Sequence, residues 1–184
     1  MTKINRIALL LAPLALAGCA ASPASTSAPP PKAQIYDAGM VSAADPRAAE
    51  AGLEMLRQGG SATDAAIATM LALTVVEPQS SGIGGGGLYV TTNAAGQVET
   101  IDGRETAPAA ASPQWFVKDG KQQTYADAVP GGTSVGVPGN VALAAKAHRA
   151  HGRLPWAALY APAIKLARDG FVVTPRLNAS LKAA

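Results

Sequence analysis

The rhythm of apolar positions changes several times along the chain. Ile7 to Ala17 is an apolar run behind the charged start at Lys3 and Arg6. It is too short to span a bilayer comfortably as a helix and has the layout of a secretory signal. The stretch ASPASTSAPPPKAQ follows, with almost nothing to bury, and reads as a tether. Periodic structure begins at Asp45-Pro46, where Asp45 can cap a helix and Pro46 suits its first position. Ala48, Ala49, Gly52, Leu53 and Leu56 fall at helical spacing, and Gly59-Gly60 ends the run. Ser61 and Asp64 stand three apart in the manner of a capping box. They open a second helix that is almost wholly apolar from Ala65 to Val76, so it should be buried on most sides, and Pro78 stops it.

Beyond the glycine-rich stretch SSGIGGGG the period shortens. Leu88 to Thr92 reads as a strand, Asn93-Ala94-Ala95-Gly96 as a turn, and Gln97 to Ile101 as the hairpin partner. Asp102 to Pro138 is rich in Gly, Pro and Ala and is expected to be a long loop region with short elements, a length usually kept for function. Asn140 to Ala150 is a third helix closed by Gly152. Trp156 to Arg168 is a fourth, between Pro155 and Gly170. Phe171-Val172-Val173 is short and extended. Thr174-Pro175 starts one more helix, for which the sequence offers no core.

The chain of 184 residues suffices for one domain with a core. Aromatics make up only 4%, so alanine and glycine must provide close backbone packing. Without Lys3 and Arg6, thirteen basic residues face twelve acidic ones. They are scattered singly, and no basic stripe remains to hold nucleic acid. Gly82, Gly84 and Gly87 spell G-x-G-x-x-G, the spacing of a dinucleotide site. That site needs a strand before the glycines and a helix after them. Here the order is inverted, and no G-K-[ST] is present. The glycines are expected to serve a sharp turn and tight backbone packing instead.

Cys19 is the only cysteine, so no internal disulfide can form. It ends Leu16-Ala17-Gly18-Cys19, which resembles the bacterial lipobox and implies an acylated Cys19 as the new first residue. Ala20 after it suits outer-membrane sorting. The expected organisation is a lipoprotein signal over residues 1–18, a tether over 19–35 and a folded part over 36–184. The expected location is the periplasmic face of the cell envelope, with the membrane reached through the lipid. His148 and His151, three apart without a carboxylate or cysteine at helical spacing, read as surface residues and not metal ligands. Asp64 and Glu77 read as a helix-start charge and a helix-end residue.

Three stretches together resemble the γ-glutamyltransferase (γ-glutamyltranspeptidase) family. Ala44-Asp45-Pro46 with Gly59 to Ala68 is similar to the opening of its large subunit. Glu77 to Gly86 is similar to its glycine signature, and Asp102-Gly103-Arg104-Glu105-Thr106-Ala107-Pro108 to its substrate-binding segment. Val129-Pro130-Gly131-Gly132, Val137-Pro138-Gly139 and Ala163 to Gly170 continue the match in order, so the likeness runs from Gly39 to Ala184. The resemblance implies an α+β fold, the N-terminal part of an N-terminal nucleophile hydrolase αββα sandwich. It also implies a precursor that cuts itself into large and small subunits. The new N-terminal threonine of the small subunit would attack the γ-glutamyl carbonyl of a donor such as glutathione. Water or an acceptor amine or peptide would then resolve the γ-glutamyl-enzyme. No metal or organic cofactor is implied.

By the same resemblance Arg104 would bind the donor's α-carboxylate, for which a guanidinium offers a rigid fork of donors. A structural ion pair with Glu105 or Asp102 is the alternative. The catalytic threonine is not in this chain: Thr91-Thr92-Asn93 lacks the histidine of the family's T-T-H motif and sits in the hairpin. The chain alone is therefore expected to be inactive. Two other readings remain, a related cephalosporin or glutaryl acylase and a non-catalytic envelope lipoprotein derived from the large subunit.

Overall fold

A computed structural model of the protein describes residues 39–183. The expected signal segment, tether and Cys19 lie outside the described residues. The first helix, α1 (Pro46–Arg57), starts where Asp45 accepts the Arg47 N–H at 2.9 Å. The Arg47 guanidinium grips the same carboxylate through Nε at 2.8 Å and Nη2 at 2.6 Å. Its Nη1 donates to the Val172 carbonyl, and the guanidinium carbon stands 4.7 Å over the Phe171 ring. One arginine thus ties the start of α1 to the 171–172 segment.

The second helix, α2 (Ala62–Val76), opens on the full capping box of Ser61 and Asp64 and is the central element. Along one side it packs on α1 so closely that a Cβ on Gly52 would lie 2.3 Å from Thr69 Oγ1. Met55, Ala65, Ile67, Ala68, Leu71, Ala144, Leu159 and Ala163 form the main core around it. Ala48, Ala51, Ala72 and Val76 form a second cluster, against which Leu166 and Phe171 pack. With so few aromatics, small side chains bring helix backbones together and gain their stability from dense packing.

Strands β1 (Gly87–Thr92) and β2 (Val98–Gly103) form an antiparallel hairpin with Tyr89 opposite Ile101 and Val90 opposite Thr100. Ile101 on its inner face packs with Leu143 and Ala147. Those two come from a later helix, Asn140–His151. On the outer face Leu88, Val90 and Val98 are 71%, 65% and 68% exposed, an apolar surface without cover among the described residues.

The long loop holds the short elements expected of it. Its neck is closed by an antiparallel bridge in which Val137 N–H donates to Thr106 O at 2.8 Å. Inside lie β3 (Val117–Lys118) and β4 (Lys121–Gln122), joined by Asp119-Gly120, both with positive φ, and one turn of helix, α3 (Tyr125–Ala128). Then come α4 (Asn140–His151), α5 (Ala161–Asp169) and α6 (Pro175–Ala183).

Two expectations need correction. The continuous helix over Trp156 to Arg168 is split into a 3-10 segment, Trp156–Tyr160, and α5. Pro162 has no N–H to continue the ladder and instead suits the first turn of a new helix. The last helix also does have a core to receive it: Leu177 is buried, and Arg176 Nε reaches Glu77 Oε2 at 3.3 Å.

Candidate active-site wall around Arg104

Gly103 ends β2 against α4, where a Cβ would lie 2.4 Å from Leu143 Cβ. The chain must turn outward there, and Arg104 is the next residue. Its backbone N–H donates to Asp102 Oδ1 at 2.9 Å. Its guanidinium meets Glu105 with Nε 3.5 Å from Oε2, and the side chain is 66% exposed. Neither terminal nitrogen has a hydrogen-bond partner among the described residues. The ion pair forms with Glu105 and not with Asp102. Asp102 fixes its main chain and Glu105 steadies its Nε, while the fork itself is free for a ligand.

Arg104 lines a cavity of about 690 Å³ with Gly84, Glu105, Trp115, Phe116 and the 133–136 segment among its walls. The far wall is tied in place by Trp115, whose Nε1 donates to Thr133 O at 2.7 Å. Glu105 also lines the cavity. Its own backbone N–H, then the Arg104 charge and the Gly86 N–H, outweigh desolvation and hold its carboxyl below the usual carboxylate range. Its Oε2 is buried without a hydrogen-bond donor, leaving Arg104 as its partner. The site therefore presents an exposed cation with an ionised carboxylate at its Nε side. Its two terminal nitrogens are the part that suits a ligand carrying a free carboxylate.

The glycine run is explained by its neighbours. A Cβ on Gly86 would lie 2.6 Å from both Glu105 N and Gly103 O, and one on Gly87 would lie 2.8 Å from Asn140 Oδ1. Gly82 and Gly84 meet nothing within 4 Å. The run is a tight seam between β1, β2 and the start of α4.

The other candidates lie elsewhere. Asp64 does start α2, but it does more than cap. Its Oδ2 also accepts the N–H groups of Arg153 at 2.9 Å and Leu154 at 3.2 Å. Burial pushes its carboxyl up, but the Ser61, Arg153 and Leu154 N–H groups and the Ser61 hydroxyl outweigh that and hold it below the ordinary Asp value. His148 is not the surface residue expected. Its side chain is 18% exposed, with Nε2 2.8 Å from Leu154 O and 3.6 Å from Asp64 Oδ1. The helical spacing hid this because both partners come from other elements. His151 is half-buried beside Glu99 at 2.9 Å. Glu77 caps the C-terminal end of α2 and is buried. Sequence reasoning missed Trp115 and Asn140, which build the walls, and the Asp-Gly turn signal at residues 119–120 was available for the inner hairpin.

Comparison with known proteins gives the family and the fold. The gamma-glutamyltranspeptidase family matches residues 48–184. Glutathione hydrolase 3 of Arabidopsis thaliana is 47% identical over 144 residues, covering 78% of this chain and 22% of that protein. The crystal structure of Helicobacter pylori gamma-glutamyltranspeptidase superposes with a TM-score of 0.77 at 35% identity, covering 82% of this chain and 43% of that one. A cephalosporin acylase from Bacillus halodurans follows at a TM-score of 0.64 and 38% identity, covering 74% of this chain and 25% of that one. The chain spans between 21% and 32% of the length of curated relatives it matches. Its α+β structure is accordingly part of the N-terminal nucleophile hydrolase fold of those neighbours, and the chain belongs to the gamma-glutamyltranspeptidase family.

Proposed function

We propose that this chain is the N-terminal part of an enzyme that transfers or hydrolyses γ-glutamyl groups, with Arg104 holding the α-carboxylate of the donor. The observation that carries this is the free fork of Arg104 on the wall of the 690 Å³ cavity, steadied through Nε by Glu105. A bidentate pair there would orient a γ-glutamyl group by its far end and leave the γ-carbonyl for the nucleophile. The threonine nucleophile would come from a small subunit of the same precursor, with its own α-amine as base. Its hydroxyl oxygen would bond to the γ-carbonyl carbon, and the amine would leave with the proton. Water or an acceptor amine would then release the glutamyl group. Glutathione is the donor proposed, in keeping with the name of the Arabidopsis relative. By this reading the 184 residues alone are inactive.

Partner strands of the remaining polypeptide would cover Leu88, Val90 and Val98 and complete the sandwich. Lipidation at Cys19 would hold the enzyme at the periplasmic face of the outer membrane. Labelled fatty acid should join the wild-type protein and not Cys19→Ser. Label retained by the variant would remove the anchor.

The test of activity is release of nitroaniline from γ-glutamyl-p-nitroanilide by the full-length precursor. Arg104→Lys should raise KM about tenfold, since a point charge replaces a fork and roughly 1.4 kcal/mol of binding is lost. An unchanged KM would take Arg104 out of the site. The likeness to a cephalosporin acylase favours a second reading, acylase activity. Turnover of glutaryl but not γ-glutamyl donors would establish it in place of the first.

A further inference from the structure

Asn140 stands at the start of α4, where an asparagine would ordinarily cap the helix. Here it does not. Gly139 holds the cap position, and no side chain bonds the first turn. Asn140 turns outward instead, and its Nδ2 donates to Gly82 O at 2.7 Å, across 58 residues of chain. The Oδ1 of the same amide lies against Gly87, where a Cβ would come within 2.8 Å. One planar group is therefore bonded to Gly82 and stands in close approach to Gly87. The backbone adds to the grip, because Gly85 O accepts the N–H groups of both Gly139 and Asn140, at 3.0 and 3.1 Å.

What lies between the two ends faces the ligand side. Gly84 lines the Arg104 cavity, and Gly82, Gly84, Gly85 and Gly86 with Asn140 and Glu105 line a neighbouring cavity of about 430 Å³. Gly82 and Gly84 touch no atoms within 4 Å at their Cβ positions, so packing at those positions does not hold them. A bare glycine backbone has many conformations open to it. Something must select one of them if Gly84 is to keep a fixed distance from Arg104.

We propose that Asn140 is a positioning residue for the donor pocket: its side-chain amide, bonded to Gly82 and packed beside Gly87, sets the glycine segment that brings Gly84 to the wall of the Arg104 cavity. This rests on the reading of the Arg104 cavity as the γ-glutamyl donor site. Asn140 touches no substrate; it acts through the glycine main chain.

The test uses the processed full-length enzyme carrying Asn140→Ala or Asn140→Asp. The aspartate keeps the shape and loses the Nδ2 donor. Amide hydrogen exchange over residues 80–88 should quicken about fivefold in both variants, as expected for one lost hydrogen bond, with α1 unchanged. KM for γ-glutamyl-p-nitroanilide should rise about fivefold while kcat stays within twofold. Unchanged exchange over 80–88 overturns the latch whatever the substrate. Faster exchange with unchanged KM overturns its link to the pocket. An Arg104→Lys control with unchanged KM sinks the donor-site reading itself and with it this role, whereas the exchange result then still reports on the latch. If neither variant accumulates as processed enzyme, Asn140 is a folding residue and the positioning role is refuted.

Discussion

Gly86 and Gly84 sit two apart in the same run, and they should respond oppositely to alanine. A Cβ on Gly86 would meet Glu105 N and Gly103 O at 2.6 Å and Arg104 Cα at 2.7 Å. All three are main-chain atoms at the exit of β2, which no rotamer change can move. Ordinary carbon contacts lie at about 3.5–4.0 Å, so the loop must back away by roughly 1 Å. That shift strains the two bonds from Gly139 and Asn140 to Gly85 O, each worth about 1 kcal/mol net. Overpacking of this kind adds about 1–3 kcal/mol. With both bonds lost, the expected loss for Gly86→Ala is therefore about 3–5 kcal/mol, a large share of a stability of about 5–15 kcal/mol. Gly84→Ala adds a methyl where nothing stands within 4 Å, at a residue outside the left-handed region. Its expected change is within about 0.5 kcal/mol, and it can be slightly stabilising through the unfolded chain. Urea melts of the two full-length variants beside the wild type would decide. Equal midpoints for Gly86→Ala and Gly84→Ala would refute the account of the glycine run as a backbone seam.

Two further outcomes follow from the core and the loop. Asp64 has a folded-state carboxyl held below its ordinary value, so its contribution is complete above the unfolded Asp pKa of about 3.9 and fades as pH falls through the lower folded value. Stability of the wild type should drop on acidification below about pH 4 more steeply than that of Asp64→Asn, which should already be about 2–4 kcal/mol weaker at pH 7; parallel urea midpoints from pH 7 to pH 3 would contradict it. Trp115→Phe keeps an aromatic ring, though a smaller one, and removes the donor to Thr133 O, so it should cost at least about 1 kcal/mol and speed limited proteolysis between residues 106 and 137; an unaltered cleavage rate would mean the loop is held by other contacts.

The local signals that proved readable were those a few residues long. Asp45-Pro46 and the Ser61–Asp64 box announced α1 and α2, and both caps form with the expected hydrogen bonds. The alternation from Leu88 onward gave the hairpin to within two residues at each end. The scarcity of aromatics pointed to close backbone approach, and Gly52, Gly86, Gly103 and Gly139 all supply it. Long-range partners were not readable. His148 looked like a surface residue because its partners, Leu154 O and Asp64, come from a turn and from a helix some eighty residues earlier. Leu177 looked unreceived because its helix is bound by Arg176 to Glu77 at the far end of α2. Periodicity within one element carries no information about a carboxylate on another.

The same limit explains why Arg104 could be named from its motif but not given a neighbourhood. Along β2 the side chains alternate, with Ile101 and Gly103 inward and Val98, Thr100 and Asp102 outward. Arg104 follows the last strand residue, Gly103, and its side chain is 66% exposed. An exposed guanidinium gains little from a carboxylate, because water competes for both partners. On the proposed assembly, the strands that bury the apolar face would also exclude water beside Arg104. A carboxylate pair is far stronger in such a setting, provided its hydrogen bonds are complete. Docking of the rest of the sandwich and affinity for a γ-glutamyl donor would then be coupled: Val90→Lys, outside the cavity lining, should raise KM for γ-glutamyl-p-nitroanilide in the full-length enzyme, and an unchanged KM in correctly processed protein would refute the coupling.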